Sequence, residues 1–330
     1  MLARAKAPAL AAPRRACHGL AAVARWRDAV VGRRAVLRDR MDARQTTLLD
    51  QTLRPHLPAS YPRLPRDGRT GEAADGAPMP PAAHLVHFPP PADETQLSAD
   101  GYLADEAPPA PFCQRVWAGG TIEFSTANPL RVGAPASQTK TIRHVAIKER
   151  PGADPLVLVR LLLEVHNARG PSVTEHRDLA YMKPVGLQRK LVEHARRPDF
   201  AHELVPSEIL LFRYSALSWN SHRIHYDAPY ACAVERHPGL LVHGPLTCTL
   251  LLHLLHAHLP PAAALASFAY RAVSPLYCNQ RLTLNGRWLQ AAANPDTRQC
   301  ELWAANNEGG LAMKGVATVV PSAPSGTWPQ

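Results

Sequence analysis

A short polar stretch, SALSWNSHRIHYD at residues 215–227, concentrates side chains that could carry out acid–base chemistry. His222 and His225 carry imidazoles, which take up or release protons near neutral pH. Asn220 can orient a water or a hydroxyl through its amide, and Arg223 can hold a phosphate or a carboxylate. These residue types and spacings predict a proton-transfer site. The alternatives are a core histidine with satisfied hydrogen bonds for His225, loop capping for Asn220, and loop stabilisation for His222 and Arg223.

An apolar stretch follows closely, LLVHGPLTCTLLLHLLHAH at residues 240–258. It is apolar nearly all round, which predicts a helix buried inside its domain over residues 244–258. The first turn of such a helix presents free N–H groups and the positive end of the helix dipole. Pro245 has no N–H, so the Gly244 amide is the candidate donor to a carbonyl oxygen that gains charge. His243 precedes it, and its backbone is what such a site needs.

The elements around this site repeat in order along the chain. Residues 28–185 read as one helix at 42–53, a Pro- and Gly-rich covering loop at 54–111, and an antiparallel meander of strand-like runs. A polar and basic segment at 186–202 predicts a linker, and residues 203–330 hold the buried helix. Three strand-like runs then complete the chain: 264–276, 280–293 and 299–320. We therefore expect two domains of the α+β class, each an antiparallel sheet wrapped around a helix.

The first 27 residues have the composition of an organelle transit peptide. They hold six Arg and Lys residues, no Asp or Glu, and many Ala residues. We expect a mitochondrial leader, with a plastid leader or a basic bacterial tail as the alternatives. Without these six charges the formal charge falls from +10 to +4, which argues against a dedicated nucleic-acid binder. The longest apolar run, near Leu250–Leu255, is too short to span a bilayer.

Motifs for metals and cofactors are absent from the sequence. None of the six cysteines forms a C-x-x-C pair, so they look like ordinary thiols of a reducing compartment. His253 and His256 share one helical side, but no third ligand stands at a recognised interval. Neither a phosphate-binding Gly-rich loop in its strand–helix context nor a Gly-x-Ser-x-Gly motif is present. We expect no metal and no cofactor.

Several segments resemble the MaoC-like hydratase/dehydratase family. RYSALSWNSHRIHYDAPYA (213–231) and HPGLLVHGPLTCTLLL (237–252) resemble its active-site segment. VWAGGTIEFSTANPLRVG (116–133) and VTEHRDLAYM (173–182) resemble the N-terminal half of its two-domain members. Within the family the chain looks closest to mesaconyl-C4-CoA hydratase-like proteins and mitochondrial type 2 hydroxyacyl-thioester dehydratases. The resemblance implies a double hot-dog fold with the chemistry in the C-terminal half.

The motif of this family has a catalytic Asp and a catalytic His five residues apart. His225 matches the His, whereas Asn220 stands at the Asp position and His222-Arg223 replace the usual Asn-Pro. The resemblance implies that His225 is catalytic and that Gly244 supplies the oxyanion donor. Because an Asn cannot act as a base, we expect His225 to carry the proton transfers, with Asn220 orienting the water or hydroxyl.

The resemblance and the leader together predict the reversible dehydration of (3R)-3-hydroxyacyl thioesters to trans-2-enoyl thioesters in the mitochondrial matrix. The acyl group would arrive on acyl carrier protein, with a carrier contact, or on CoA, and the chain could form a homodimer. Two alternatives stay open: hydration of a mesaconyl-CoA-type dicarboxylyl-CoA, with Arg223 or Arg271 on the second carboxylate, and a non-catalytic thioester-binding subunit. The candidate substrate-binding residues are His222, Arg223, His243 and Arg271.

Overall fold

The computed structural model describes residues 14–150, 153–184, 192–260, 262–290 and 297–322. Ten strands within these residues form one antiparallel sheet. The strands are β1 Arg34–Arg40, β2 Gln114–Phe124, β3 Pro135–Arg150, β4 Ala153–Asn167, β5 Gly170–Met182, β6 Phe200–Leu204, β7 Ala263–Ala272, β8 Leu282–Trp288, β9 Arg298–Ala305 and β10 Leu311–Pro321. The α-helices are α1 Arg14–Val30, α2 Ala43–Leu53, α3 Glu208–Leu217, α4 Ala228–Ala233 and α5 Gly244–His256.

The order of the strands across the sheet shows two halves of the same topology. From edge to edge it is β1-β3-β4-β5-β2-β7-β10-β9-β8-β6, so each N-terminal strand has a C-terminal counterpart, five numbers later, at the mirrored position. The halves join where β2 pairs with β7, from Gly119 opposite Arg271 to Glu123 opposite Ser267. This arrangement confirms the predicted antiparallel α+β architecture and the repeated order of elements.

The two predicted helices are also confirmed, and both enter one hydrophobic core. The N-cap Asp42 accepts from the Gln45 N–H at 2.8 Å and starts α2, whose Leu49 and Leu53 are buried. Every residue of α5 from Leu246 to Leu255 is buried, as the all-round apolar pattern predicts. Since burying one leucine side chain contributes about 1.5–3 kcal/mol, α5 is a main anchor of the fold.

The first strand of each half is what the sequence pattern missed. β1 and β6 lie at the two outer edges of the sheet, and β1 is mostly exposed. Edge strands are short and polar, so they lack the alternation that reveals a half-buried strand. β6 begins at Phe200, inside the segment 186–202 that was predicted as a linker, and it pairs with β8. Residues 185–191 of that region lie outside the described residues.

The predicted leader overlaps helix α1. Residues 1–13 lie outside the described residues, and α1 runs from Arg14 to Val30. Val23 and Val30 are buried in a second hydrophobic cluster, together with Ile142 of β3 and Val157 of β4. The latter part of the segment 1–27 thus packs against the sheet, and removal of a leader stays a prediction. No helix in the described part of the chain is long and apolar enough to cross a membrane.

Candidate active site

The side chain of His225 is fixed by one backbone carbonyl. The ring lies on a 3₁₀ turn, Arg223–His225, and Nδ1 donates to the Leu241 carbonyl oxygen at 2.9 Å. Because a carbonyl can only accept, the neutral ring carries its proton on Nδ1, and Nε2 keeps a lone pair. In the described part of the chain Nε2 has no hydrogen-bond partner. Burial and the nearby charge of His222 lower the pKa of His225 to about 3, so the ring is a neutral base at pH 7.

A second imidazole lies directly behind this ring. His243 stacks on His225 with 3.6 Å between ring centroids and 19° between planes. Its Nε2 is 2.8 Å from the hydroxyl of Ser215 on α3, and burial lowers its pKa well below the usual value. His243 is fully buried and does not line the cavity described below. The structure therefore does not support the predicted contact between the His243 side chain and the substrate. The His243 ring instead fixes the orientation of His225 by stacking on it.

The amino end of α5 is pressed against the N-terminal half. Gly244 is the first residue of α5, so its N–H lies outside the hydrogen-bond ladder of the helix. A Cβ on Gly244 would lie 2.8 Å from Cβ and 2.9 Å from Cγ of Trp117 on β2. The Trp117 indole donates to the Tyr270 hydroxyl at 2.8 Å, and the Arg177 guanidinium lies 4.4 Å from its ring centroid. This close approach requires a glycine at position 244.

Both halves of the chain enclose a cavity of about 270 Å³. His225, Gly244 and Asn220 all line it. Leucines of the N-terminal half form an apolar wall: Leu37, Leu97, Leu103, Leu161, Leu163 and Leu179. The loop 54–111 supplies further lining residues, among them His84, Phe88 and Tyr102, so it covers the site as its length suggested.

The covering loop is fastened to the loop that carries Asn220. The Arg223 N–H donates to the Asp100 carbonyl at 2.8 Å, and the Ser221 hydroxyl donates to the Gly101 carbonyl. Gly101 has a φ of +82°, and a Cβ there would lie 2.1 Å from the Ser221 carbonyl oxygen. The Asn220 Oδ1 accepts from the His222 N–H at 3.0 Å. The amide NH₂ of Asn220 is therefore the group left to meet a ligand.

A chain of buried ionisable groups lies beside the cavity. Nη2 of Arg115 is 3.6 Å from Oδ2 of Asp100, which is 3.7 Å from Nε2 of His222. The same nitrogen is 3.5 Å from Oε1 of Glu235, whose Oε2 is 3.8 Å from Nε2 of His237. Burial raises the pKa of Glu235, but the two imidazoles outweigh burial and bring it to about 2. Among the described residues no group of three or more His, Cys, Asp or Glu is arranged to hold a metal ion.

The two predicted arginine ligands lie outside the cavity lining. Arg223 donates from Nε and Nη2 to Oδ2 of Asp227 at 3.0 and 2.7 Å, and it lies over the Tyr230 ring. Asp227 also accepts from the Tyr230 N–H and starts α4. Arg271 lies on β7 and is exposed. Neither arginine is therefore placed to hold a substrate carboxylate, because one is already paired and the other faces solvent.

Sequence reasoning missed three residues that shape the site. Asp100 belongs to the covering loop, Glu235 follows α4, and Trp117 lies on β2. Asp100 and Glu235 belong to no motif, and nothing local shows that they meet His222. Trp117 stands in the VWAGG segment, which carries the family resemblance, but its contact with Gly244 depends on the pairing of β2 and β7.

Comparison with known proteins agrees with this geometry. The sequence model of the family hydroxyacyl-thioester dehydratase type 2 matches residues 82–278, which include the second half of the covering loop, His225, His243 and α5. The chain belongs to this family. Together with a MaoC-like structural neighbour, this match confirms the predicted MaoC-like family of the chain.

Two curated relatives have names that state related chemistry. Mesaconyl-C(4)-CoA hydratase of Chloroflexus aurantiacus is 36% identical over 215 residues, which are 63% of this chain and 74% of that protein. The mitochondrial hydroxyacyl-thioester dehydratase type 2 of Schizosaccharomyces pombe is 26% identical over 277 residues, 76% of this chain and 89% of that protein. The family and both names agree on addition or removal of water, so this chain is a hydro-lyase.

Solved structures confirm the fold. A MaoC-like dehydratase has a TM-score of 0.63 at 15% identity and covers 89% of this chain and 99% of its own. A Mycobacterium tuberculosis protein described as a double hotdog fold has a TM-score of 0.56 at 12% identity, covering 89% and 97%. The family member described here therefore has the predicted double hot-dog fold.

Proposed function

We propose that this protein catalyses the reversible dehydration of (3R)-3-hydroxyacyl thioesters to trans-2-enoyl thioesters. One observation carries the proposal: neutral His225, with its free Nε2, and the Gly244 amide line the same leucine-walled cavity. The family name and the name of the Schizosaccharomyces pombe relative support a hydroxyacyl thioester as the substrate.

The chemistry follows from these groups. The proton on C2 is weakly acidic because the thioester carbonyl delocalises the charge that remains. Nε2 of His225 takes that proton, and the Gly244 N–H donates to the thioester oxygen as it becomes negative. The Asn220 amide holds the C3 hydroxyl that leaves as water. Loss of one oxyanion donor of this kind costs about 10²–10³ in turnover.

The charges around the cavity favour an acyl chain without a second carboxylate. Besides the histidines, three cationic side chains line the described cavity: Arg115, Lys140 and Arg177. Lys140 and Arg177 are paired with Glu106 and Glu175, whereas the Arg115 guanidinium lies 3.6 Å from Asp100 without a hydrogen bond to it. A second substrate carboxylate would compete with these pairs, whereas an alkyl chain fits against the leucine wall without loss of an ion pair.

Hydration of a mesaconyl-C4-CoA-type substrate is the second candidate. It is favoured by sequence identity, which is higher with the Chloroflexus aurantiacus hydratase than with the fission yeast dehydratase. The discriminating test is a panel of purified full-length protein with 3-hydroxyacyl thioesters of CoA and of acyl carrier protein, and with mesaconyl-C4-CoA. Faster turnover of the 3-hydroxyacyl chains is expected, and a clear preference for mesaconyl-C4-CoA would overturn the first assignment.

The variant His225→Ala tests whether the protein is catalytic or only binds thioesters. Hydration of crotonyl-CoA is expected to fall by about 10²–10⁴, because the base is removed. His258→Ala is a matched control, since Nδ1 of His258 also donates to a carbonyl, that of Leu254, at 2.9 Å, but outside the cavity lining. An unchanged rate in His225→Ala would show that His225 is not the catalytic base, and absence of hydration by the unaltered protein would support a non-catalytic thioester-binding subunit.

A role in mitochondrial fatty-acid synthesis, on acyl carrier protein, is the finer part of the proposal. The acid-free composition of residues 1–27 and the mitochondrial name of the fission yeast relative support it. Residues 1–27 and the full chain, each fused to a fluorescent protein, should both reach mitochondria. A diffuse signal from both fusions would count against this location.

A further inference from the structure

His222 lies between two buried carboxylates at the edge of the cavity. Its Nε2 is 3.7 Å from Oδ2 of Asp100 and 3.5 Å from Oε1 of Glu235, and this nitrogen is buried. The ring itself lines the cavity, so Nδ1 is the nitrogen left to meet a ligand. The centroid of the His222 ring is 5.5 Å from that of His225, and the two rings are nearly perpendicular at 87°. His222 and His225 therefore line the same cavity as neighbouring imidazoles.

The two rings have opposite electrostatic surroundings. His225 faces a carbonyl and another imidazole and is stable as the neutral form. His222 faces two carboxylates, while Arg115 compensates one of them. Without a further proton this buried group would carry an excess negative charge, which is unfavourable away from water. A proton on His222 removes the excess.

Other groups around His222 do not offer a better place for this proton. Tyr102 meets the ring edge-on at 6.5 Å between centroids, and His237, which also lines the cavity, lies 3.8 Å from Glu235 and is paired with that carboxylate alone. Asn220 contacts the His222 backbone and cannot donate a proton as an acid. Among these groups, His222 combines contact with both carboxylates and a place in the cavity lining.

We propose that His222 is the acid of the reaction, and that its Nδ1–H protonates the hydroxyl group that leaves from C3. This role rests on the dehydration proposed above. Nε2 of His225 takes the C2 proton, and the C2–H electron pair forms the double bond between C2 and C3. The C3–O bond breaks with its electron pair on oxygen, which takes the His222 proton and departs as water. His225 ends protonated and His222 neutral, and the proton returns across the cavity before the next turnover.

The assignment explains how this chain works without the family's Asp. Asn220 cannot exchange protons, so a single imidazole would otherwise have to serve as base and acid in turn. Asp100 and Glu235 lie 3.7 and 3.5 Å from Nε2 of His222 without a hydrogen bond to it, and their negative charges favour a proton on the ring. In the hydration direction the neutral ring, with its proton on Nε2, can accept a proton from water at Nδ1.

The test compares two leaving groups on one acyl chain. Elimination from 3-hydroxybutyryl-CoA needs a proton on the departing oxygen, whereas 3-chlorobutyryl-CoA releases chloride without one. We expect His222→Gln to lower the elimination of water by at least about 100-fold, and the elimination of chloride by no more than about tenfold. His225→Gln should lower both reactions, because both need the C2 proton removed. Chloride elimination by His222→Gln would also show that the variant is folded.

His194→Gln is the matched control. Nε2 of His194 lies 3.2 Å from Oε1 of Glu301, an imidazole–carboxylate pair outside the cavity lining, so both rates should stay unchanged. Equal losses of the two eliminations in His222→Gln, or no loss in either, would overturn the role of His222. If the unaltered protein eliminates chloride but never water, the proposed dehydration fails instead, and the acid role fails with it.

A second variant keeps the ring and changes its surroundings. Glu235→Gln removes one of the carboxylates that favour the protonated ring, while Asp100 and Arg115 remain. The alkaline limb of the pH profile for water elimination should move to lower pH, and chloride elimination should keep the limb that His225 sets. An unshifted alkaline limb in Glu235→Gln would overturn the proposal even if His222→Gln does not fold.

Discussion

Gly244→Ala is the sharpest test of how the two halves meet at the site. The added Cβ would lie 2.8 Å from Cβ and 2.9 Å from Cγ of Trp117, about 0.6 Å short of an ordinary 3.4 Å contact. Trp117 has little room to give way, because its indole is hydrogen-bonded to Tyr270 and lies under Arg177. The start of α5, with the Gly244 N–H, must therefore move instead.

The size of the effect follows from this displacement. A shift of about 1 Å in a positioned group can lower the rate about 100-fold, so we expect kcat for crotonyl-CoA hydration to fall by about 10- to 100-fold. Overpacking should also lower the free energy of unfolding by about 1–3 kcal/mol, measured by urea denaturation. Adding Trp117→Ala should recover only part of the lost stability, because it removes the contact with Cγ but keeps the Cβ at 2.8 Å.

Gly239→Ala is the control for this experiment, because a Cβ there would meet no heavy atom within 4 Å and the backbone is not left-handed. It should leave both kcat and stability unchanged. If Gly244→Ala keeps the kcat of the unaltered protein, the amide of this residue is not the donor on which turnover depends. If Gly244→Ala is as stable as Gly239→Ala, the close packing of Trp117 on α5 is wrong.

Three further predictions concern stability. Burial lowers the pKa of three imidazoles, to about 3 for His225 and His253 and well below the usual value for His243. These rings stay neutral in the folded protein and take up protons on unfolding below about pH 6.5. The free energy of unfolding should therefore fall as the pH drops from about 6.5 towards 3, by up to about 1.4 kcal/mol per pH unit for each ring; urea denaturation that shows equal stability at pH 7 and pH 5 would contradict this. Glu175→Gln should lower the free energy of unfolding by about 3–5 kcal/mol in the same assay, because it leaves the partly buried Arg177, bound now at 2.7 and 2.9 Å, without its carboxylate. Gly101→Ala should raise proteolysis of the covering loop and weaken thioester binding, because its Cβ would meet the Ser221 carbonyl at 2.1 Å; unchanged proteolysis would show that the loop is not fastened there.

Much of the fold could be predicted because its strongest elements are local patterns. The all-round apolar run that starts at Gly244 gives α5, and Asp42 ahead of an apolar period gives α2. The long strands β3, β4 and β5 show in their Val-, Ile- and Leu-rich runs. β1 and β6 could not be found this way, because an exposed edge strand is fixed by pairing with its neighbour. β1, for example, pairs with β3, with Arg34 opposite Thr141.

The residues of the site show the same contrast between local sequence patterns and long-range packing. Asn220, His225 and Gly244 stand in one contiguous region of the sequence, and the fold brings them to one cavity, as expected. Asp100 and Glu235 become neighbours of the site through long-range packing, so no spacing rule reveals them. The two arginines show the converse. Arg223 is close to the motif in sequence but is paired with Asp227, the N-cap of α4, and Arg271 on β7 is exposed to solvent.

The pairing of β2 with β7 has a consequence for how specificity can change. In an assembly of two identical subunits, every substitution would appear on both sides of the interface. Here the wall of leucines and the imidazoles of His222 and His225 belong to different stretches of one polypeptide, joined through the hydrogen bonds between β2 and β7. A substitution at Leu161 or Leu163 therefore changes a single wall of the cavity. The side chains of His222 and His225 and the first turn of α5 stay unchanged.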